Sequence, residues 1–282
     1  MSEFNYEDFY EGEGDEDVQI ALPLIEDIIT QQKVVTDREV KVRLEDKFFP
    51  WVTGRALGAM ERDGVIRRVG YVGRRTVRGR VPEVFYALNG MEYERIVGII
   101  MQKKRVTRDI NSILTAHAPA GTHAEDLLEE TFEALGFKIH GRDVSEFRGK
   151  RVSGVKGKQP PNLDFVIERD HVIYGVDIKN WIKYEYNTRY AVISKVFLAL
   201  QLKIVPFIIT RYIDKDTIYR EVIKKGGICY PYRTLLIPPT FDSLATQAVS
   251  LLGYPVSAVG TLPKYKREWI NTLHLKFCQG RS

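Results

Sequence analysis

Three charged residues interrupt two apolar, strand-like runs in the middle of the chain. Residues 160–181 read PPNLDFVIERDHVIYGVDIKNW, and Asp164, Asp177 and Lys179 lie inside these runs. A buried charge is costly unless it is paired or bound to a metal ion. Carboxylates and water are the ligands that Mg²⁺ and Mn²⁺ prefer. The two Asp residues therefore predict a divalent-metal site, with the Lys as a neighbouring cation.

The two runs predict a β-hairpin that brings both acids onto one face. We place the strands at residues 163–168 and 171–179, joined by a two-residue turn at Arg169–Asp170. In this register Asp164 lies opposite Gly175, and the second acid lies one diagonal step away, with Cβ atoms about 7–8 Å apart. The missing side chain at the glycine leaves room for a metal ion and its waters. Four hydrophobic residues point the other way, into a core: Phe165, Ile167, Val176 and Ile178.

An alternative interpretation gives these charges no chemistry. Asp177 and Lys179 are two residues apart, so they would face each other in a salt bridge if the strand were exposed. The apolar residues around them favour a buried strand, and metal binding is therefore the stronger prediction.

The hairpin and the helix before it resemble the PD-(D/E)xK nucleases, the superfamily of restriction endonucleases and archaeal Holliday junction resolvases. PNLD corresponds to the PD element, and DIK, residues 177–179, corresponds to (D/E)xK. The sequence GTHAEDLLEETFEALGF resembles the opening helix of the resolvases, in which a Glu follows a Gly by four positions. Here that pair is Gly121 and Glu125. The resemblance covers about residues 119–210.

The resemblance implies an α/β fold with a mixed sheet flanked by helices, and a Mg²⁺-dependent endonuclease that hydrolyses phosphodiester bonds in DNA. It implies that Glu125, Asp164 and Asp177 bind the metal, which is Mg²⁺ or Mn²⁺. The backbone carbonyl of Ile178 adds a ligand, and Lys179 orients or helps to deprotonate the attacking water. A metal suits this reaction because it makes a nucleophile available near neutral pH and compensates the phosphate charge. Relatives of this fold often dimerise, so a homodimer is also implied.

The sequence departs from the family pattern in three places. The second acid is Asp where many relatives have Glu, and two residues separate Pro161 from Asp164. Glu129 and Glu130 lie one helical turn beyond Glu125, so the pattern leaves open which of them is the helix acid.

Basic residues flank the predicted site. The loop before the first acid contains five bases and no acid, and we predict that it grips DNA phosphates. Simple solvation of these charges explains them equally well. Lys195, on the following helix, is a further candidate to face the site. The loop residues predicted to bind DNA are Arg148, Lys150 and Arg151.

Three short helices and a basic hairpin, earlier in the chain, follow the order of a winged helix-turn-helix domain. In that domain the third helix enters the DNA major groove and the wing contacts the backbone. We predict that Thr36 or Asp37 caps the second helix and that the third runs from about Trp51 to Arg62. Such domains also bind proteins, which is the alternative. The predicted DNA contacts are Thr53 and Arg55 on the third helix and Arg74, Arg75, Arg78 and Arg80 on the wing.

The charge of the chain is unevenly distributed. The 282 residues carry a net charge of +5, but residues 1–17 hold eight acids and no base, so the remainder carries +13. A folded region with this positive charge suits a polyanionic partner, nucleic acid above all, although a soluble basic protein without such a partner is the alternative.

No apolar run reaches the roughly 18 residues of a membrane span. The acidic start is unlike a signal peptide, and Cys229 and Cys278 form no CxxC pair, so we expect a cytoplasmic protein without disulfides.

The sequence predicts four segments and leaves two other functions open. A DNA-binding regulator or architectural protein would have an inert nuclease-like core. An Mrr-like, modification-dependent restriction enzyme would share the domain order. Such enzymes usually have Gln or Glu two positions before the motif Lys, where this chain has Asp177.

The predicted segments are an acidic disordered tail (1–17), a winged helix-turn-helix domain (18–89), a linking helix (90–118) and a nuclease-like domain (119–282).

Overall fold

The chain divides into two compact units in the computed structural model, which describes residues 14–72, 83–114, 119–152, 161–182, 186–213 and 219–280. The first unit comprises residues up to Ser112 together with Thr246–Tyr254. The second comprises Ile113–Ala245 and the residues from Pro255 onward. Residues 246–254 therefore belong with the first unit, whereas the sequence predicts them to be part of the nuclease-like domain.

The first unit packs helices against a small antiparallel sheet with the strand order β1-β3-β2. Its helices bury hydrophobic residues such as Ile25, Val40 and Leu57 in one core. The elements are α1 (Gly14–Gln32), β1 (Val34–Thr36), α2 (Asp37–Leu44), α3 (Pro50–Arg62), β2 (Ile66–Val72), β3 (Glu83–Leu88) and α4 (Tyr93–Ile113).

Local signals in the sequence explain where these helices begin. Thr36 and Glu39 form a capping box at the start of α2, which confirms the predicted cap. Proline at the first position opens α3. α1 begins at Gly14, so Asp15–Asp17 form its first turn and not the end of the predicted tail. Acidic residues stabilise this end of a helix because they complement its dipole.

The second unit contains a five-stranded mixed sheet with the strand order β10-β9-β8-β7-β4. β4, β7 and β8 are antiparallel neighbours, whereas β8, β9 and β10 run parallel. A two-stranded parallel sheet pairs β11 with β12. The elements are α5 (Pro119–Ala134), β4 (Lys138–Val144), β5 (Glu146–Phe147), β6 (Lys150–Arg151), β7 (Leu163–Arg169), β8 (Val172–Lys179), α6 (Tyr186–Gln201), β9 (Val205–Thr210), α7 (Arg220–Lys224), β10 (Ile228–Pro231), β11 (Leu235–Ile237), α8 (Asp242–Gln247), β12 (Val256–Ala258) and α9 (Lys264–Gln279).

Helices cover both faces of the large sheet. α5 and α9 pack on one face, where Phe132 and Ile270 join the hydrophobic side chains of β7 and β8. α6 packs on the other face, where Ala199 and Leu202 contact Val166. The four hydrophobic residues that the hairpin prediction assigned to a core lie in the α5 and α9 layer. The predicted α/β class with a mixed sheet flanked by helices is therefore observed. Within the described ranges, every helix falls short of the length and apolarity that crossing a bilayer requires.

Candidate functional site

The hairpin that carries the acids turns one residue later than predicted. Asp170 and His171 form the two-residue turn, and both have positive φ angles, of 49° and 61°. A turn that needs two left-handed residues matches the strand twist, and Asp and His adopt that conformation more readily than most residues. Val166 therefore pairs with Gly175, and the predicted pairing of Asp164 with this glycine is wrong.

Gly175 serves packing and not metal access. A Cβ atom at this position would lie 2.7 Å from Cδ1 of Leu163. It would also lie 3.0 Å from the Ala199 Cβ and the Ile204 Cδ1. Such contacts are too short for carbon atoms, so only glycine lets β8 approach α6 this closely. The predicted space for a metal ion beside the glycine is therefore filled by protein.

The two acids nevertheless lie together at the end of the hairpin opposite the turn. The backbone N–H of Ile178 donates a hydrogen bond to Oδ2 of Asp164, with an N–O distance of 2.5 Å. Asp177 is fully buried, and its Oδ1 accepts from Nζ of Lys179 at 2.7 Å and from Nζ of Lys195 at 3.2 Å. Its Oδ2 is buried and has no hydrogen-bond partner among the described residues. One carboxylate oxygen is thus held by two ammonium groups while the other is unpaired.

The pKa values of Asp164 and Lys179 are both raised, but for different reasons. Burial, with the nearby charge of Asp177, raises the pKa of Asp164 to about 6. Burial alone would lower the pKa of Lys179, but the carboxylates of Asp177 and Asp164 overcome this effect and raise it. Lys179 therefore stays protonated at neutral pH. Asp177 and Lys179 do form a salt bridge. The alternative interpretation placed this salt bridge on an exposed strand, whereas Asp177 is buried.

Lys195 of α6 completes this charged cluster. Its Nζ contacts Asp177 and also donates to the backbone carbonyl of Asn162, two residues before Asp164. The prediction that Lys195 faces the site is confirmed. Lys195 thereby connects β8, which carries Asp177, with the residue that leads into β7 and Asp164. These two contacts help to hold both acids in position.

Glu125 lies near this cluster but is held by a different partner. Its carboxylate lies 3.5 Å from Nη2 of Arg142, which also binds Asp126 and Glu129. Burial raises the pKa of Glu125, while Arg142 opposes that increase. The charge of Glu125 still contributes to the raised pKa of Lys179.

The three predicted metal ligands do not form a coordination group in this structure. Within the part of the chain that is described, no group of three or more His, Cys, Asp or Glu side chains is arranged to hold a metal ion. Two of the acids, Asp164 and Asp177, are adjacent to each other, whereas Glu125 binds Arg142. The sequence does not indicate that Arg142 binds the acids of α5, because Arg142 lies on a different element, β4.

Two further residues, which no motif in the sequence indicates, hold the end of β8 in place. The Asn180 side chain donates to the carbonyls of Ala120 and Leu236 at 2.8 and 2.6 Å. Its oxygen accepts from the Tyr232 hydroxyl at 2.8 Å. Arg211 is fully buried and donates to the backbone carbonyls of Trp181 and Ile182, in the segment after the strand. Asn180 thereby joins β8 to the start of α5, and its signal in the sequence is only that it follows DIK.

The predicted DNA contacts of the first unit have mixed outcomes. Thr53 is fully buried, and its hydroxyl donates to the Pro50 carbonyl, so the prediction that Thr53 contacts DNA from an exposed position on the third helix is wrong. The hydroxyl satisfies the first turn of α3 instead of facing solvent. Arg55 is exposed, lies over the Trp51 ring and binds Oδ1 of Asp15 at 2.6 Å. The predicted wing residues lie outside the described residues: Arg74, Arg75, Arg78 and Arg80.

The described part of the basic loop forms a small hairpin of β5 and β6. Arg148 lies at its turn, stacks over Phe147 and is 3.9 Å from Glu168. Arg148 and Arg151 are exposed, and Lys150 is half-buried. Arg148 and Arg151 are therefore accessible to an anionic ligand.

Comparison of the chain with protein-family models, curated proteins and solved structures finds no match. The geometry and charge of the site therefore carry any assignment of function.

Proposed function

We propose that the second unit is a metal-dependent endonuclease that hydrolyses phosphodiester bonds in DNA, and that the first unit binds DNA as a winged helix-turn-helix domain. The observation that carries this proposal is the buried Asp177 carboxylate, whose Oδ1 binds two lysines while Oδ2 has no partner among the described residues. An unpaired buried oxygen of this kind is destabilising. A divalent cation beside it would remove that penalty.

The available donors fit Mg²⁺ or Mn²⁺. Oδ2 of Asp177, the carboxylate of Asp164 and the carbonyl of Ile178 are the oxygen donors that such ions prefer. When bound, the metal would supply a nucleophilic water near neutral pH and compensate charge on the phosphate. Glu125 is a further candidate ligand if its carboxylate leaves Arg142.

The two lysines have different roles in this proposal. Lys179 remains protonated because its pKa is raised, so it would donate to the attacking water or to the phosphate and would not accept a proton. Lys195 holds Oδ1 of Asp177 and thereby orients Oδ2. Both ammonium groups also favour an anionic substrate.

The order and surface of the first unit support a role in DNA binding. Three helices, α1 to α3, precede the antiparallel pair of β2 and β3. Arg55 and Arg62 are exposed on α3, and Lys41 lies beside Gly54 of the same helix. A helix with exposed arginines and small residues suits contact with a DNA groove.

One observation favours a second candidate, a DNA-binding protein whose nuclease-like core is inert. Arg142 binds three acids of α5, and the two lysines bind Asp177, so most charges near the site are balanced without a metal. Such a protein would bind DNA and would not cut it in Mg²⁺ or Mn²⁺.

A cleavage panel separates these candidates. Full-length protein is incubated with Mg²⁺ and duplex, flap, four-way-junction or single-stranded DNA, or with RNA. We expect cleavage of at least one DNA substrate, its loss in Asp177→Asn, and DNA binding that survives this change. Asp170→Asn is the matched control because it removes an acid at the other end of the same hairpin, in a turn that Asn tolerates. Normal cutting by Asp177→Asn would refute the assigned site.

A further inference from the structure

Helix α9 exposes two aromatic side chains one turn apart. Tyr265 is 65% exposed and Trp269 is 50% exposed. Four-residue spacing puts them on the same face, about 6 Å apart along the helix axis. Ile270 and His274 are buried on the opposite face, so the helix is firmly anchored in the second unit. The two rings therefore form a fixed, accessible platform.

The charge of α9 indicates what this platform binds. Lys276 lies with its Nζ 5.9 Å from the centre of the Trp269 ring. Lys264 and Lys276 are exposed, and Glu268 is paired with Lys264 at 3.7 Å, so the accessible side of the helix keeps a net positive charge, which favours a polyanion. Exposed aromatic rings next to basic side chains are typical of surfaces that stack unpaired nucleic-acid bases. The charged residues of the helix are Lys264, Lys266, Arg267, Glu268 and Lys276.

The first turn of α9 lies at the same end of the sheet as the candidate site. Nζ of Lys266 is 5.7 Å from the centre of the Tyr232 ring. The Tyr232 hydroxyl donates to Asn180 at 2.8 Å, and Asn180 directly follows Lys179.

We propose that the exposed face of α9 binds unpaired nucleotides by stacking their bases on Tyr265 and Trp269. A substrate with a single-stranded segment beside the cut phosphate would then be preferred to a blunt duplex. This preference rests on the proposed nuclease function, whereas the binding of single strands stands without it.

Fluorescence titration in EDTA tests the binding without any cleavage. The probe is a deoxythymidine oligonucleotide added to the full-length protein, whose three tryptophans include Trp269. We expect quenching of the indole emission, and loss of most of this quenching in Trp269→Phe. Trp269→Ala and Tyr265→Ala should each weaken the affinity at least about fivefold, as loss of one base–aromatic stack does.

Phe197→Ala provides the matched control. Phe197 is 49% exposed on α6, and Lys225 lies over its ring at 5.6 Å, so it has similar exposure and a similar cation neighbour. We expect this variant to bind the oligonucleotide as the unaltered protein does. Folding of each variant is checked by circular dichroism and thermal unfolding.

Three results would overturn the proposal: unchanged affinity in both α9 variants, an equal loss in the Phe197 control, or loss of self-association in Trp269→Ala, which would assign the face to a second copy. If the affinity losses appear but Mg²⁺ supports no cleavage, the single-strand platform stands and the nuclease proposal fails.

Discussion

Asp164→Asn tests whether the site lowers the stability of the protein at neutral pH. Burial and the charge of Asp177 raise the pKa of Asp164 to about 6, compared with about 3.9 in an unfolded chain. This difference of about two pH units corresponds to about 3 kcal/mol. The folded state binds this proton more tightly, so the contribution of Asp164 to stability is greatest below about pH 4 and is lost as the pH rises through about 6.

The expected effect of Asp164→Asn therefore depends on pH. At pH 8 without metal, the variant should be more stable by about 1–3 kcal/mol, because the amide keeps an acceptor for the Ile178 N–H without the buried charge. The upper end is the full difference in proton affinity between the folded and unfolded states, and weaker hydrogen bonding by the amide would reduce it. At pH 4 the gain should fall to about 0.5 kcal/mol or less.

Thermal unfolding in EDTA at the two pH values measures this difference. For a unit of this size, each kcal/mol shifts the melting temperature by about 2–4 °C, so a rise of several degrees is expected at pH 8. Asp170→Asn is the control, because a hydrogen bond from His274 lowers the pKa of Asp170 and its replacement should give no gain. A variant Asp164→Asn that melts below the unaltered protein at pH 8, or that gains equally at both pH values, would refute the reasoning. Added Mg²⁺ should stabilise the unaltered protein more than Asp164→Asn, because ligands stabilise the state that binds them.

Three further substitutions probe the supports of the site. Gly175→Ala should destabilise the protein by about 1–3 kcal/mol in urea denaturation, because its methyl group would overlap three neighbouring side chains. Asn180→Ala should lower stability by about 1–3 kcal/mol, because it leaves buried backbone groups unpaired; an unchanged denaturation midpoint would contradict this. Lys195→Met should reduce Mg²⁺-dependent cleavage roughly 10- to 100-fold and raise the half-saturating Mg²⁺ concentration in single-turnover assays. Lys195→Arg should recover part of this loss, and equal activity of all three proteins would exclude the positioning role.

The parts of the fold that local signals determine were predictable from the sequence. The capping box at Thr36 and the glycine after α3 mark helix ends within a few residues. Alternation of apolar residues identified the strands that carry Asp164 and Asp177, and it assigned the correct residues to the core. These features depend on neighbours in the chain, which a sequence displays directly.

The features that the sequence did not display depend on distant contacts. The burial of Thr53 follows from the rotation of α3 against the rest of its unit, which a small polar side chain does not indicate. The partner of Glu125 is Arg142 on β4, 17 residues away, and no local pattern joins them. The register error has a different cause, because Arg169–Asp170 and Asp170–His171 are both plausible two-residue turns. Only the pairing of whole strands selects between them.

The turn at Asp170–His171 lies far from the acids but controls where they point. Asp177 lies seven positions after Asp170, about 23 Å along an extended strand. One additional residue that shifted the pairing by a single position would exchange the two sides of β8, turning its acid toward the hydrophobic layer of α5. Loops at the periphery of a domain usually tolerate insertions. Here the length of a connection at the far end of the hairpin determines which side of β8 carries the acid.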